Sequence, residues 1–149
     1  MTPKEYLNQA YKIDRRIQIT RAKADKLLSA ITYKSPQFDS IGGTGNSSDK
    51  LGEAMAKVID YKRKADELVN LLIDKRLEIE RTISLLEDPV QREILERRYL
   101  LYQPWESRYD DVSGEYIKGI AESMGYSQRQ IFRLHGIALK KIKDVSECQ

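Results

Sequence analysis

Residues 116–143, YIKGIAESMGYSQRQIFRLHGIALKKIK, decide how this chain is read. Ile117, Ile120, Ala121 and Met124 fall at helical spacing and predict a short helix from Tyr116 to Met124. Gly125 and Tyr126 stop it, because glycine enters the left-handed conformation that closes a helix without steric penalty. Ser127 then offers a hydroxyl to the unpaired amides of a new first turn, so a second helix starts there and runs to Lys143. A short helix, a turn of three or four residues containing glycine and a second capped helix form the pattern of a helix-turn-helix.

The second helix is two-faced. With about 100° between successive residues, Ile131, Leu134, Ala138 and Ile142 gather on one side, and Arg129, Arg133, Gly136 and Lys140 lie opposite. From Tyr126 to Lys143 there are five basic residues, Arg129, Arg133, Lys140, Lys141 and Lys143, and no acidic one, in a chain whose net charge is only +3. A basic helical face is ordinarily solvated surface, and that reading stands beside a sharper one. A helix that enters the major groove needs long hydrogen-bonding side chains near its N-terminus, where they reach base edges while the positive end of the dipole faces phosphate. Ser127, Gln128, Arg129, Gln130 and Arg133 supply them: arginine bonds guanine in bidentate fashion, glutamine adenine, serine a phosphate. Gly136 lets backbone approach the duplex, and Lys140 and Lys141 add phosphate contacts that strengthen binding without reading sequence. His135 lies near the apolar side and reads as a packed histidine rather than a base contact or catalyst.

Upstream, Glu87-Asp88-Pro89-Val90 marks a boundary, with Asp88 as N-cap and Pro89 at the first helical position. A helix from Val90 to Leu101 follows, burying Ile94, Leu95 and Tyr99 and leaving Arg92, Arg97 and Arg98 on a solvated basic face. Residues 102–115 (YQPWESRYDDVSGE) are aromatic and locally acidic and read as a loop, with or without a short helical turn, whose Trp105 anchors it on the core.

The N-terminal half is heptad-like. Tyr6, Ala10, Ile13, Ile17, Thr20, Ala24, Leu27 and Ile31 alternate in fours and threes, which predicts one helix from Pro3 to Tyr33, capped by Thr2. Periodicity vanishes over residues 34–48, a connector rich in Ser, Pro, Asn and Gly. It resumes through Leu51, Met55, Val58, Lys62, Ala65, Val69, Leu72, Arg76, Ile79, Ile83 and Leu86, interrupted by Lys62 and Arg76, with a parallel row at Ala54, Val58, Tyr61, Ala65, Leu68 and Leu72. Two long helices with such a connector make either an antiparallel hairpin or a coiled coil with a second chain; the periodicity allows both. The fold class expected is all-α: a long N-terminal hairpin or coiled coil (1–86) followed by a small C-terminal helix-turn-helix bundle (87–149).

Composition narrows the function. The chain has 149 residues with one His and one Cys, which leaves His135 as the sole histidine base for a nucleophile and thins the list of enzymes, and leaves no thiolate metal site or disulfide framework. The glycine-rich stretch Gly42-Gly43-Thr44-Gly45 lacks the Lys-Ser/Thr of a phosphate loop. No enzyme activity, cofactor or metal is expected. No apolar run approaches the about 20 residues of a membrane helix, and no secretory signal is read from Met1 to Lys12; the expected location is the cytosol.

With these residues in place, the segment Leu86–Ile142 resembles region 4 of sigma-70-type transcription factors. The match runs through Asp88, Gln91-Arg92-Glu93-Ile94-Leu95, Arg97-Arg98-Tyr99, Ile120-Ala121, Met124-Gly125-Tyr126-Ser127, Arg129, Ile131, Arg133-Leu134-His135 and Ala138-Leu139. With its helical N-terminal half and the loop GGTGN, the whole chain is similar to a family of small phage and prophage proteins of Gram-positive bacteria, related to late-gene transcriptional regulators. The resemblance implies a promoter-binding helix-turn-helix whose recognition helix starts at Ser127, with Gln128, Arg129, Gln130 and Arg133 on bases or phosphates. It implies double-stranded DNA as partner in the bacterial cytoplasm, while the long helices form a homo-oligomer, contact RNA polymerase or space the module. A DNA-packaging or assembly subunit, and a helical interaction protein without DNA binding, are the alternatives. The chain departs from the family pattern at residues 103–115, an acidic insertion that separates Trp105 from Ile120.

Overall fold

Thr2 opens the chain with a reciprocal cap: its hydroxyl accepts from the Glu5 N–H (3.2 Å) while the Glu5 carboxylate accepts from the Thr2 N–H (2.8 Å). In the computed structural model, which describes residues 1–34 and 46–147, this cap begins α1 (Pro3–Leu7). There follow α2 (Gln9–Lys34), α3 (Asn46–Ser84), α4 (Pro89–Leu95), the strands β1 (Arg108–Tyr109) and β2 (Tyr116–Ile117), α5 (Ile120–Met124) and α6 (Gln128–Glu147). The class is all-α, as the periodicity predicts. The single helix expected from Pro3 to Tyr33 is broken at Asn8, whose φ of −78° and ψ of −4° depart from helix while its N–H still bonds the Lys4 carbonyl. The connector expected at 34–48 falls, over residues 35–45, outside the described residues.

The chain divides into two compact units, residues 12–72 and residues 1–11 with 73–149. In the first, α2 and α3 pair within one chain as a helical hairpin. Ile17, Thr20 and Ala24 are buried on α2, as are Val58 and Ala65 on α3, and the Lys23 ammonium lies 5.9 Å from the centre of the Tyr61 ring. Of the two apolar rows on α3, the second is covered throughout, with Ala54, Val58, Tyr61, Ala65, Leu68 and Leu72 all buried or half-buried; the first is exposed at Met55 and Lys62 and covered at Leu51 and from Val69 to Ile83. Lys62 therefore never enters the seam. Buried Thr20 is satisfied locally, donating to the Arg16 carbonyl at 2.8 Å.

In the second unit α6 packs on α4, α1 and α5. Asp88 caps α4, its carboxylate accepting from the Val90 (2.8 Å) and Gln91 (3.3 Å) amides. Ile94 and Leu95 are fully buried. The helix then widens into a π turn, Glu96–Leu100, in which the Leu101 N–H reaches the Glu96 carbonyl. This turn buries Tyr99, and Tyr102 just beyond it has a φ of +55°. Arg97 and Arg98 do not form the solvated face the sequence predicts. Arg97 bonds Glu93 (2.7 Å) and Gln103 (3.2 Å), while Arg98 bonds the Gln103 carbonyl (3.1 Å) and covers the Trp105 ring at 4.9 Å.

The segment expected to be a loop is a β-hairpin. Arg108 pairs with Ile117 and Tyr109 with Tyr116. The turn between them is set by Asp110, whose carboxylate accepts from the Val112 N–H (2.9 Å), and by Gly114 at φ +71°. Tyr116 and Ile117 are therefore strand, and α5 begins only at Ile120; helical spacing over so few positions does not separate the two states. Both ends of the hairpin return to one point. Pro104 O accepts from the Ile120 N–H (3.0 Å), Ser107 Oγ from the Gly119 N–H (2.8 Å), and Gln103 Nε2 donates to Ser123 Oγ (2.6 Å). The hairpin is thus extruded at a closed base.

Candidate functional site

The first turn of α6 is capped as its sequence predicts, Ser127 Oγ accepting from the Gln130 N–H at 3.2 Å. Gly125, left-handed at φ +72°, makes the preceding turn. Ile131, Ala138 and Ile142 are buried, and Ile131 joins Ile94 and Ile120 in a cluster to which Trp105, Met124, Tyr126 and Leu134 add. This packing fixes the rotation of the helix about its axis and so decides what faces outward. Arg129, Arg133, Lys140 and Lys141 are exposed, as is Ser127; Gln128 and Gln130 are half-buried. Gly136 has open space where a Cβ would stand. The basic stripe is continuous over three turns and unobstructed at its centre.

The N-terminal end of the stripe is not purely basic. Gln128 Nε2 donates to the Glu106 carboxylate at 2.8 Å, so one of the side chains expected on bases is engaged by the segment leading into the hairpin, and an acid stands at the positive end of the α6 dipole. Trp105, the neighbour of Glu106, meets the Phe132 ring edge-on at 5.2 Å and the His135 ring at 4.8 Å. His135 is a core residue: it is 9% exposed and lies 2.9 Å from the Tyr99 hydroxyl. Burial, with the nearby charges of Lys4 and Arg98, holds its pKa down at about 4, so it is neutral at pH 7 and carries no charge toward a ligand. Burial likewise raises the Tyr99 phenol to about 12.

Family models, curated proteins and solved structures yield no match to the chain. The site therefore rests on its own geometry. Among the described residues no cluster of His, Cys, Asp and Glu has the form of a metal site, and no helix is long and apolar enough to cross a membrane. What the arrangement offers is a rigidly seated helix with guanidinium and ammonium groups on its outer face, a chemistry suited to a polyanion.

Two participants escape the sequence reading. The Glu106–Gln128 contact joins residues 22 positions apart, and nothing local announces it. The hairpin that carries Glu106 had a legible signal: the Asp110-Asp111…Gly114 turn between Arg108-Tyr109 and Tyr116-Ile117.

Proposed function

We propose that this chain is a sequence-specific DNA-binding regulator of phage or prophage transcription, similar in its C-terminal part to sigma region 4, that lays α6 in the major groove. The observation that carries the reading is the outward stripe of Arg129, Arg133 and Lys140, set opposite the buried Ile131, Ala138 and Ile142 on a capped helix held by α4 and α5. In this reading Arg129 and Arg133, with Gln130, meet base edges, Ser127, Lys140 and Lys141 meet phosphates, and Gly136 admits the duplex backbone closely. Gln128 contributes after exchanging Glu106 for a base or phosphate. One module binds modestly, so two copies or an RNA polymerase partner supply the remaining affinity.

Selection of bound sequences from a randomised duplex pool tests this, with the intact protein compared to an Arg129→Ala, Arg133→Ala double variant. An enriched motif that disappears in the variant is expected; no enrichment removes sequence-specific regulation.

A DNA-packaging or assembly subunit is the second reading. It is favoured by apolar side chains exposed on α3 within the hairpin unit, Met55 at 45% and Ile59 at 58%, a surface for association of copies of the chain. A native mass corresponding to a ring would select it.

A further inference from the structure

Beside the π turn lies a half-enclosed cavity of about 250 Å³, lined by Asn8, Tyr11, Arg98, Tyr102, Pro104 and Arg108. All six belong to the unit formed by residues 1–11 and 73–149. The lining holds two guanidinium groups, a carboxamide and two phenols, and no acidic residue. Two guanidinium groups brought to one partly closed cavity repel one another, and an anion between them relieves that repulsion.

The walls are built, not incidental. The π turn and the left-handed backbone of Tyr102 place its ring against Tyr11, edge-on at 5.3 Å, and beneath the guanidinium of Arg76 at 5.2 Å. A tyrosine at positive φ is strained, and strain of this kind is retained where the surroundings impose it. Arg98 is fixed by its bond to the Gln103 carbonyl and by Trp105, and Arg108 is carried by β1. Asp110, the acid two residues on, accepts from the Val112 amide and also feels the charge of Arg108, without lining the cavity. Two buried polar atoms in this region, Tyr102 Oη and Arg76 Nε, have no hydrogen-bond partner among the described residues.

We propose that this cavity is a phosphate-binding site, separate from the α6 stripe. The donors come from α2, the π turn and β1, so they approach from several directions; a tetrahedral phosphoryl group presents acceptor oxygens to all of them, whereas a planar carboxylate accepts in one plane. The volume exceeds the roughly 30 Å³ share of a single water several-fold and accommodates that group. The phosphate comes either from a small phosphorylated molecule or from a nucleic-acid backbone, and the two differ in experiment.

The full-length protein is titrated with inorganic phosphate at constant ionic strength, with chloride as control, and its thermal midpoint is followed for the wild type, Arg108→Gln and Tyr102→Phe. Arg108 is exposed on a short strand, so Arg108→Gln preserves the fold; Tyr102→Phe keeps the ring and removes only the hydroxyl. A saturable rise with phosphate but not chloride is expected in the wild type, with apparent affinity about tenfold lower in Arg108→Gln, the loss of one charge-assisted contact. The same proteins are then mixed with a 20-base-pair duplex. If phosphate leaves duplex binding untouched, the ligand is a small phosphorylated molecule; if Arg108→Gln weakens every duplex alike and reduces the salt slope by about one, the phosphate belongs to nucleic acid. Phosphate acting no differently from chloride, or equally on wild type and Arg108→Gln, together with unchanged duplex binding by Arg108→Gln, overturns the site. Failure of the α6 reading shows instead as loss of sequence selection with phosphate binding intact.

Discussion

The Tyr99 hydroxyl sits 2.9 Å from His135 Nε2 where the π turn after α4 meets α6. The contact couples the orientation of the basic helix to the helix before it, and it makes the one histidine of the chain a pH-sensitive part of the core.

Because the folded pKa of His135, about 4, lies below the ordinary 6.5, the unfolded chain takes up a proton that the folded chain refuses. Stability therefore falls as pH falls from 6.5 toward 4, by roughly 2 kcal/mol between pH 6.5 and pH 5. Glu78, held low chiefly by its bond from Lys75, and Asp110, held low chiefly by the Val112 amide, act in the same sense but at lower pH: their contribution is present above the ordinary carboxylate range and is lost as pH falls through it. The window above pH 5 thus belongs to the imidazole. Urea unfolding at pH 7, 6 and 5 checks this, and an equal slope in His135→Asn would refute it.

Tyr99→Phe leaves the buried imidazole without its hydroxyl partner and should destabilise the protein by about 1–3 kcal/mol. Its distinguishing mark is selectivity: Tyr102→Phe removes a hydroxyl that has no hydrogen-bond partner among the described residues and should cost less. Parallel denaturant titrations decide, and equal losses would mean that the Tyr99 contact contributes nothing particular.

A methyl group on Gly119 would stand 2.5 Å from the Glu106 carbonyl carbon and 2.6 Å from both Ser107 N and Trp105 O. All three are backbone, so no rotamer relieves the clash and the base of the hairpin must open. Gly119→Ala should cost about 3 kcal/mol, the upper end of overpacking penalties, and should release Trp105 from Phe132 and His135. Tryptophan fluorescence during unfolding reports both; a native spectrum with unchanged stability would refute the closed base.

Gly136 is the contrasting case. It lies within α6 with open space at the Cβ position, so Gly136→Ala should stabilise the protein by about 0.5–1 kcal/mol. If the duplex backbone approaches this face, the same variant binds DNA more weakly while being more stable. Calorimetry and fluorescence anisotropy measured together separate the effects, and unaltered duplex affinity would place Gly136 away from the interface.

Glu106 places a negative charge at the end of α6 that carries Arg129 and Arg133. Glu106→Gln should tighten binding to all duplexes by about twofold to fivefold at low salt, the equivalent of 0.3–1 kcal/mol for a charge at a helix terminus, with little change in sequence preference. The gain should shrink as salt rises. Weaker binding on neutralisation would instead mean that Glu106 positions Gln128 for its task.

Periodicity determined the long helices α2, α3 and α6, though neither the break at Asn8 nor the late start of α5, because a long amphipathic helix writes its buried face into every turn. Ser127 and Gly125 announced the turn before α6, and the separation of Ile131, Ala138 and Ile142 from Arg129, Arg133 and Lys140 announced which face is outward. Caps and faces are local, set by residues within a few positions of each other. Tertiary structure decided what depends on distant partners. It covered Tyr61 and left Met55 and Lys62 outside, since both rows of α3 have helical spacing and only packing chooses between them. It turned residues 108–117 into a hairpin whose pairing partner, not its propensity, makes it strand. It drew Arg98 from a solvated face onto Trp105, brought Glu106 to Gln128, and closed a cavity from Asn8, Tyr102 and Arg108. Each of these joins side chains whose meeting depends on how whole elements pack, which no window of sequence contains.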